Sequence, residues 1–231
     1  MAINIDHFDL SGRKAMLIGA ETHAGGAIAD AFNEAGAKLF NTNVLKSEDV
    51  RASVQSAVEE LGGLDILVSC PELFLAKSIA DTSDGELHLI MEYNFYAQYS
   101  AVRTAVDVML DGKTGGNIIL LTHVLGERGL PNTSAYGSAQ AATQNLIRSM
   151  AQELGRDKIT INGISLGWMD WMSDRIDPKD EEAARAIRFT IAKRAGESAD
   201  IGPMAVWLSG TGVGYVTGQI FAVDGGLLQH L

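Results

Sequence analysis

Tyr136 and Gln140 stand four residues apart in a stretch, Ser134 to Leu154, that reads as a helix. Positions i and i+4 share a helix face, so the two side chains are neighbours along the axis. A tyrosine in that setting can pass a proton to or from a reacting oxygen if a nearby cation lowers its pKa. A lysine at the fourth position would supply the charge, but Gln140 is a neutral amide. Without help, a tyrosine of pKa ~10 is only about one-thousandth ionised at neutral pH. His123 closes an apolar run that begins at Asn117, and it offers either a proton donor or an ordinary structural imidazole. Thr122 precedes it and, by strand alternation, faces the other way. Asn94 lies inside a long helical stretch, where its side chain either takes part in chemistry or satisfies a helix distortion. His23, His123 and Cys70 show no ligand spacing, so no metal centre is expected.

A second group sits near the amino terminus. The short apolar strand Ala15 to Ile18 runs into a glycine-bearing turn, Gly19 to Gly26, that opens a helix. Such turns present backbone N–H groups to a phosphate at a helix N-terminus. Gly19 and Gly25 keep the outer glycines of the pattern, but His23 stands between them and adds an imidazole where a dinucleotide would approach. Glu21 places a carboxylate in the same turn, an arrangement that equally suits the helix dipole. Asn43, after the second strand, is the nearest candidate for holding a ribose, where an Asp or Glu is usual. The pattern is broken.

The elements that must hold these residues alternate along the chain. Lys38 to Asn43 and Asp65 to Ser69 read as strands, with a helix capped by Ser47 and closed by Gly62-Gly63 between them. A long helix runs from about Ser83 to Leu110, followed by the strand Asn117 to Thr122. Ile159 to Ile164 follows the helix of Tyr136. A polar segment from Asp177 to Arg194 and the stretch Asp200 to Leu208 read as helices before a last strand, Gln219 to Val223. Strand and helix in alternation predict a single Rossmann-like α/β domain over residues 1–231, a doubly wound parallel sheet. With 231 residues, 46% of them hydrophobic, the chain is long enough for one full core. A formal net charge of -11 argues against nucleic acid or an anionic membrane as partner. A lone cysteine, no basic leader and no apolar run of ~20 residues point to the cytoplasm.

Several stretches, in this order, resemble a short-chain dehydrogenase/reductase over essentially the whole chain. They are Asp65-Ile66-Leu67-Val68, Asn94, Gly116-Asn117-Ile118-Ile119, Ala135-Tyr136 through Ala141-Ala142, and Ile161-Asn162-Gly163-Ile164. Tyr215-Val216-Thr217-Gly218-Gln219 then runs into Val223-Asp224-Gly225-Gly226. The resemblance implies a four-residue site of Asn, Ser, Tyr and Lys, whose positions fall here on Asn94, His123, Tyr136 and Gln140. It also implies a wall for the adenosine pocket, built from a further helix and strand after the second strand. This chain reaches Asp49-Val50 from Gly36 almost at once, so about one helix and one strand are expected to be missing there. Where the family has Asn-Asn-Ala-Gly, the chain has Ser69-Cys70-Pro71-Glu72. Pro71 has no N–H to offer, and Glu72 adds bulk and charge. Cys70 reads as a small buried residue. Leu166 replaces the family's proline ahead of Gly167-Trp168-Met169-Asp170-Trp171-Met172, which the resemblance makes a substrate lid. That segment either lines a pocket or lies collapsed on the groove.

Damage to both halves of one machine, with the frame kept, marks a degenerate member. Neither the four-residue site nor the dinucleotide site is expected to work in this chain, and no cofactor is expected on it. The resemblance then implies a noncatalytic subunit of a hetero-oligomer, a tetramer. In it an active short-chain dehydrogenase paralogue holds NAD, and the helices beginning near Ser83 and Ser134 supply the contact. Two alternatives stay open. One is a divergent NAD(P)-dependent ketoreductase using Tyr136 with His123; the other is a regulatory module that binds a ligand such as an acyl-CoA in the vacated groove.

Overall fold

Alternation of buried side chains organises the centre of the molecule. In β1 (Lys14–Ile18), Ala15 and Leu17 join one core while Met16 and Ile18 join another, as a strand with both faces covered requires. The computed structural model describes residues 8–71, 73–175 and 187–229. Six parallel strands form one sheet in the order β2-β1-β3-β4-β5-β6, the remaining strands being β2 (Lys38–Thr42), β3 (Ile66–Ser69), β4 (Gly116–His123), β5 (Ile159–Leu166) and β6 (Ile220–Val223). Helices α1 (His23–Glu34) and α6 (Gly202–Ser209) cover one face around Leu17, Ile28, Phe32, Val68 and Leu208. Helices α2 (Ser47–Leu61), α4 (Ala97–Gly112) and α5 (Ser134–Leu154) cover the other around Met16, Val54, Leu67, Ala101 and Ile147. The fold is the doubly wound Rossmann-like domain read from the sequence.

The shortening is visible in the topology. β2 is the edge of the sheet, and α2 leads from it straight into β3, which pairs with β1 on its other side. The break in strand order, where ligands of open α/β sheets sit, therefore lies between β1 and β3 with only β2 beyond it.

Three local expectations are corrected. Ser47 does not cap α2: Lys46 holds that position without a side-chain bond, and Ser47 is the first helical residue. Its amide instead donates to Glu92 Oε1 at 2.6 Å, so a carboxylate from another helix satisfies the end. The long helix expected from Ser83 is two helices, α3 (Asp84–Met91) and α4, joined by one π turn over Glu92–Tyr96. Ser83 does cap α3, in a reciprocal box with Glu86. The helix expected at Asp200 starts at Gly202, with Pro203 in its first turn. Of the polar segment, residues 176–186 lie outside the described residues, as does Glu72; residues 187–189 are helical. Among the described residues no helix is long and apolar enough to cross a membrane.

Candidate functional site

The glycine turn is held shut by its own hydrogen bonds. Thr22 caps α1: its Oγ1 accepts from the Gly25 amide at 2.9 Å and donates to the Gly19 carbonyl at 2.8 Å. Gly19 has φ +88°, and a Cβ there would overlap the carbonyl oxygen of Cys70. A Cβ on Gly25 would overlap the carbonyl of Gly19. Both glycines are thus demanded by the packing of the turn against itself and the chain just after β3, whatever else approaches it.

His23, the first residue of α1, is exposed, and its imidazole stacks on the indole of Trp171 with ring centroids 5.0 Å apart and planes 4° from parallel. Trp171 belongs to a 3₁₀ stretch, Asp170–Arg175, that follows β5. That segment is pinned beside the chain at Gly196, whose carbonyl accepts from Asp170 N–H and whose amide donates to the Trp168 carbonyl. Glu21 does not serve the helix dipole. It precedes the cap, and its Oε1 accepts from the Val44 amide at 2.7 Å, tying the glycine turn to the chain beyond β2. Asn43, next to this tie, is exposed.

Asn94, His123, Tyr136 and Gln140 come together. Tyr136 is buried between Phe74 and His123, both edge-on to it at centroid distances of 4.9 and 5.7 Å. Gln140, 1% exposed, donates from Nε2 to Asn94 Oδ1 at 3.1 Å. Asn94 sits in the π turn, fully buried, and donates to the carbonyls of Leu73 and Ile90 at 2.9 and 3.0 Å. Its own carbonyl, released by the turn, accepts from Thr143 Oγ1 and Gln98 Nε2, each at 2.9 Å. Asn94 does satisfy a helix distortion. The sequence reading passed over Gln98 and Thr143, although Gln98 lies four residues from Asn94 and shares its helix face.

His123 Nδ1 accepts from the Leu125 amide at 3.1 Å, which assigns its proton to Nε2. Nε2 forms no full hydrogen bond; the Gly167 backbone lies close enough to favour the charged form slightly. Burial wins and lowers the pKa of His123 to about 4. The sign follows from linkage: the unfolded chain binds a proton near pH 6.5 that the folded chain refuses, so stability present above pH 6.5 is lost as pH falls toward 4. We expect urea unfolding of the wild type to lose about 3 kcal/mol more than His123→Phe between pH 7 and pH 4. Equal losses would mean that the imidazole charges freely in the fold.

The space between these groups is small. A cavity of about 40 Å³ is bounded by Phe74, His123, Tyr136, Gln140, Trp171 and Met172, among others. That admits a water or two but no aromatic ring. Thr122 also reaches it, with its hydroxyl 3.4 Å from the Gln140 carbonyl. Alternation had set Thr122 on the opposite side from His123, but the cavity caps the end of β4 rather than lying on one face. Trp168, Met169, Trp171 and Met172 are buried in the α1 and α6 core, so the lid is packed down. Cys70 is buried in the same core, and among the described residues no group of three or more His, Cys, Asp or Glu side chains converges.

A family model described as enoyl-(acyl carrier protein) reductase matches residues 7–228. The chain is 30% identical to nodulation protein G of Rhizobium sp. (strain N33), covering 95% of this chain and 98% of that protein. It is 27% identical to 7alpha-hydroxysteroid dehydrogenase of Escherichia coli (strain K12), covering 99% of each. The first of these alignments runs over 244 residues, so the relative carries residues for which this 231-residue chain has no counterpart. Among solved structures, a putative short-chain alcohol dehydrogenase from Sinorhizobium meliloti 1021 superposes with a TM-score of 0.91 at 26% identity, covering 97% of this chain and 99% of that one.

Proposed function

This chain belongs to the short-chain dehydrogenase/reductase family of oxidoreductases, and from that premise we propose that it is a noncatalytic subunit paired with an active paralogue that carries NAD. The observation that carries the reading is the Trp171 ring lying on His23, across the turn a pyrophosphate would have to approach. The residues present do not fit a dinucleotide. The Gly25 amide is taken by Thr22, Glu21 sets a carboxylate beside the ribose position, and among the described residues no strand lies on the outer side of β2. On the catalytic side a buried, hydrogen-bonded amide replaces the ammonium that would prepare Tyr136 for proton transfer.

A partner surface supports the pairing. Phe95, Tyr99, Val102, Leu146 and Met150 line a groove between α4 and α5, and Tyr96 and Tyr99 are more than two-fifths exposed. Aromatic rings in an open groove suit an interface. Within the family the sequence resembles the inactive subunit of the hydroxybenzylsuccinyl-CoA dehydrogenase of anaerobic toluene degradation. The assembly's substrate in this proposal is accordingly a hydroxyacyl-CoA such as 2-(hydroxybenzyl)succinyl-CoA, handled by the partner in a tetramer.

Calorimetry with NADH and NADPH should give no saturable heat up to about millimolar cofactor, a Kd weaker than about -4 kcal/mol of binding. Affinity purification from the native host should bring down a paralogue with intact glycine turn, Ser, Tyr and Lys. Micromolar cofactor binding would sink the noncatalytic reading, and a homotetramer free of any paralogue would sink the pairing.

A further inference from the structure

β2 ends the sheet with its outer side open. Among the described residues no strand lies beyond it, so one row of its backbone groups has no partner in the ladder. The hydrogen bonds on its inner side show which row. Lys38 donates its amide to the Arg13 carbonyl, and the Thr42 carbonyl accepts from Gly19 and Ala20. Backbone groups alternate along a strand, so Lys38, Phe40 and Thr42 turn theirs toward β1, while Leu39 and Asn41 turn theirs outward. Edge strands commonly carry a proline, a bulge or an inward charge that keeps other chains from pairing with them. Lys38–Thr42 has no proline, and its register with β1 runs unbroken.

The outward row is self-complementary. When two copies meet about a two-fold axis at Phe40, Leu39 of each lies opposite Asn41 of the other. Both residues offer an amide and a carbonyl, so each pair exchanges bonds in both directions. The Phe40 rings then face each other in the non-hydrogen-bonded pair, where cross-strand side chains come closest. Phe40 is only half-buried in its own chain, at the fringe of the core under α2 and α4. Antiparallel pairing also carries Lys38 past Thr42 of the second copy, toward the Glu21 carboxylate that holds the Val44 amide there. Lys38 is exposed and forms no ion pair among the described residues. From this we propose that the outer edge of β2 is a docking surface for a second copy of this chain, joined strand to strand about a two-fold axis at Phe40. Such a contact uses the same edge on both copies, so it closes at a dimer instead of growing into a fibre. The strand is short, so the dimer is weak and shows itself through concentration.

This surface goes beyond the proposed subunit role. It shares no residue with the groove between α4 and α5, and neither a paralogue nor a cofactor takes part. Sedimentation velocity of the isolated full chain should show a monomer–dimer equilibrium that shifts with concentration. Asn41→Pro removes an outward amide but leaves the bonds to β1 in place, and proline is tolerated on an edge strand. It should weaken the dimer about tenfold or more, while Asn41→Ala keeps it. Circular dichroism of both variants checks the fold, and if Asn41→Pro fails that check, cross-linking at residue 40 decides alone. Cys70 is buried, so Phe40→Cys supplies the one accessible thiol among the described residues. Across the axis the two Cα atoms would lie about 4.5 Å apart, within reach of a disulfide. Mild oxidation should give a covalent dimer from Phe40→Cys and little from Asn41→Cys, whose thiol would face Leu39. A chain that stays monomeric at every concentration would overturn the proposal. So would association that Asn41→Pro leaves unchanged, because the contact would then lie on another face. If the Leu39 and Asn41 amides gain protection from hydrogen exchange only in a complex isolated from the native host, the edge serves a different protein and the proposal falls as well.

Discussion

Gln140→Lys is expected to destabilise the fold by about 3–5 kcal/mol at pH 7 without creating activity. At face value the substitution restores a catalytic lysine, and in a chain poised for chemistry it should help. The surroundings argue otherwise. Gln140 is almost wholly buried, among the described residues no acidic side chain borders its cavity, and the one partner of its side chain there is the neutral Asn94 amide oxygen. An ammonium placed there meets desolvation without a counter-charge, which moves a buried lysine's pKa down by up to 3–5 units. The sign gives a signature. A lysine whose folded pKa is depressed refuses a proton that the unfolded chain binds, so the loss is greatest below the folded pKa and shrinks as pH rises toward ~10. Denaturant titrations of parent and variant at pH 7 and pH 9.5 read this directly. The double variant His123→Ser, Gln140→Lys should still fail to oxidise NADH in the presence of a ketone. Parental stability at pH 7, or any turnover, would show that the cavity is solvated and the site merely dormant.

The frame was open to sequence reasoning because each device that builds it is local. Four consecutive buried residues make β3, Gly62 ends α2 with φ +71°, and Ser83 with Glu86 three residues later closes a capping box. The missing edge was legible too, since a helix and a strand need a minimum of chain and too little separates Gly36 from Asp49. The identities at the altered site were equally plain, as was the structural reading of Cys70 and Asn94. What stayed hidden depends on residues far apart in the chain. Nothing near Ser47 signals that Glu92 will take its amide, or near Glu21 that Val44 will donate to it. A distortion at Asn94 was one of two readings open, but its π form and extent escaped because one extra residue inside a helix barely disturbs the apolar pattern on either side. The sequence left the lid as either pocket lining or collapsed cover. The contact that decides, Trp171 on His23, joins the segments after β1 and β5, which are three places apart in the strand order, and has no local trace.

That contact carries the second large prediction. Trp171→Ala should cost about 3–5 kcal/mol, the range for deleting a large buried aromatic side chain. The indole is packed in the same cluster as Ala24, Met169 and Met172, so its removal leaves a void that a helix-anchored wall cannot close. His23 is exposed, so His23→Ala should cost much less, and a double-mutant cycle should assign about 0.5–1.5 kcal/mol to the stack itself. The void is also the decisive place to look for cofactor. If the lid alone kept a dinucleotide out, Trp171→Ala would bind NADH once folded at low temperature. We expect no such binding up to about millimolar NADH. Glu21 still bonds to Val44, Thr22 still holds the Gly25 amide, and β2 still ends the sheet. Micromolar affinity in this variant would locate the whole defect in one side chain, and the truncated scaffold could no longer account for a silent site.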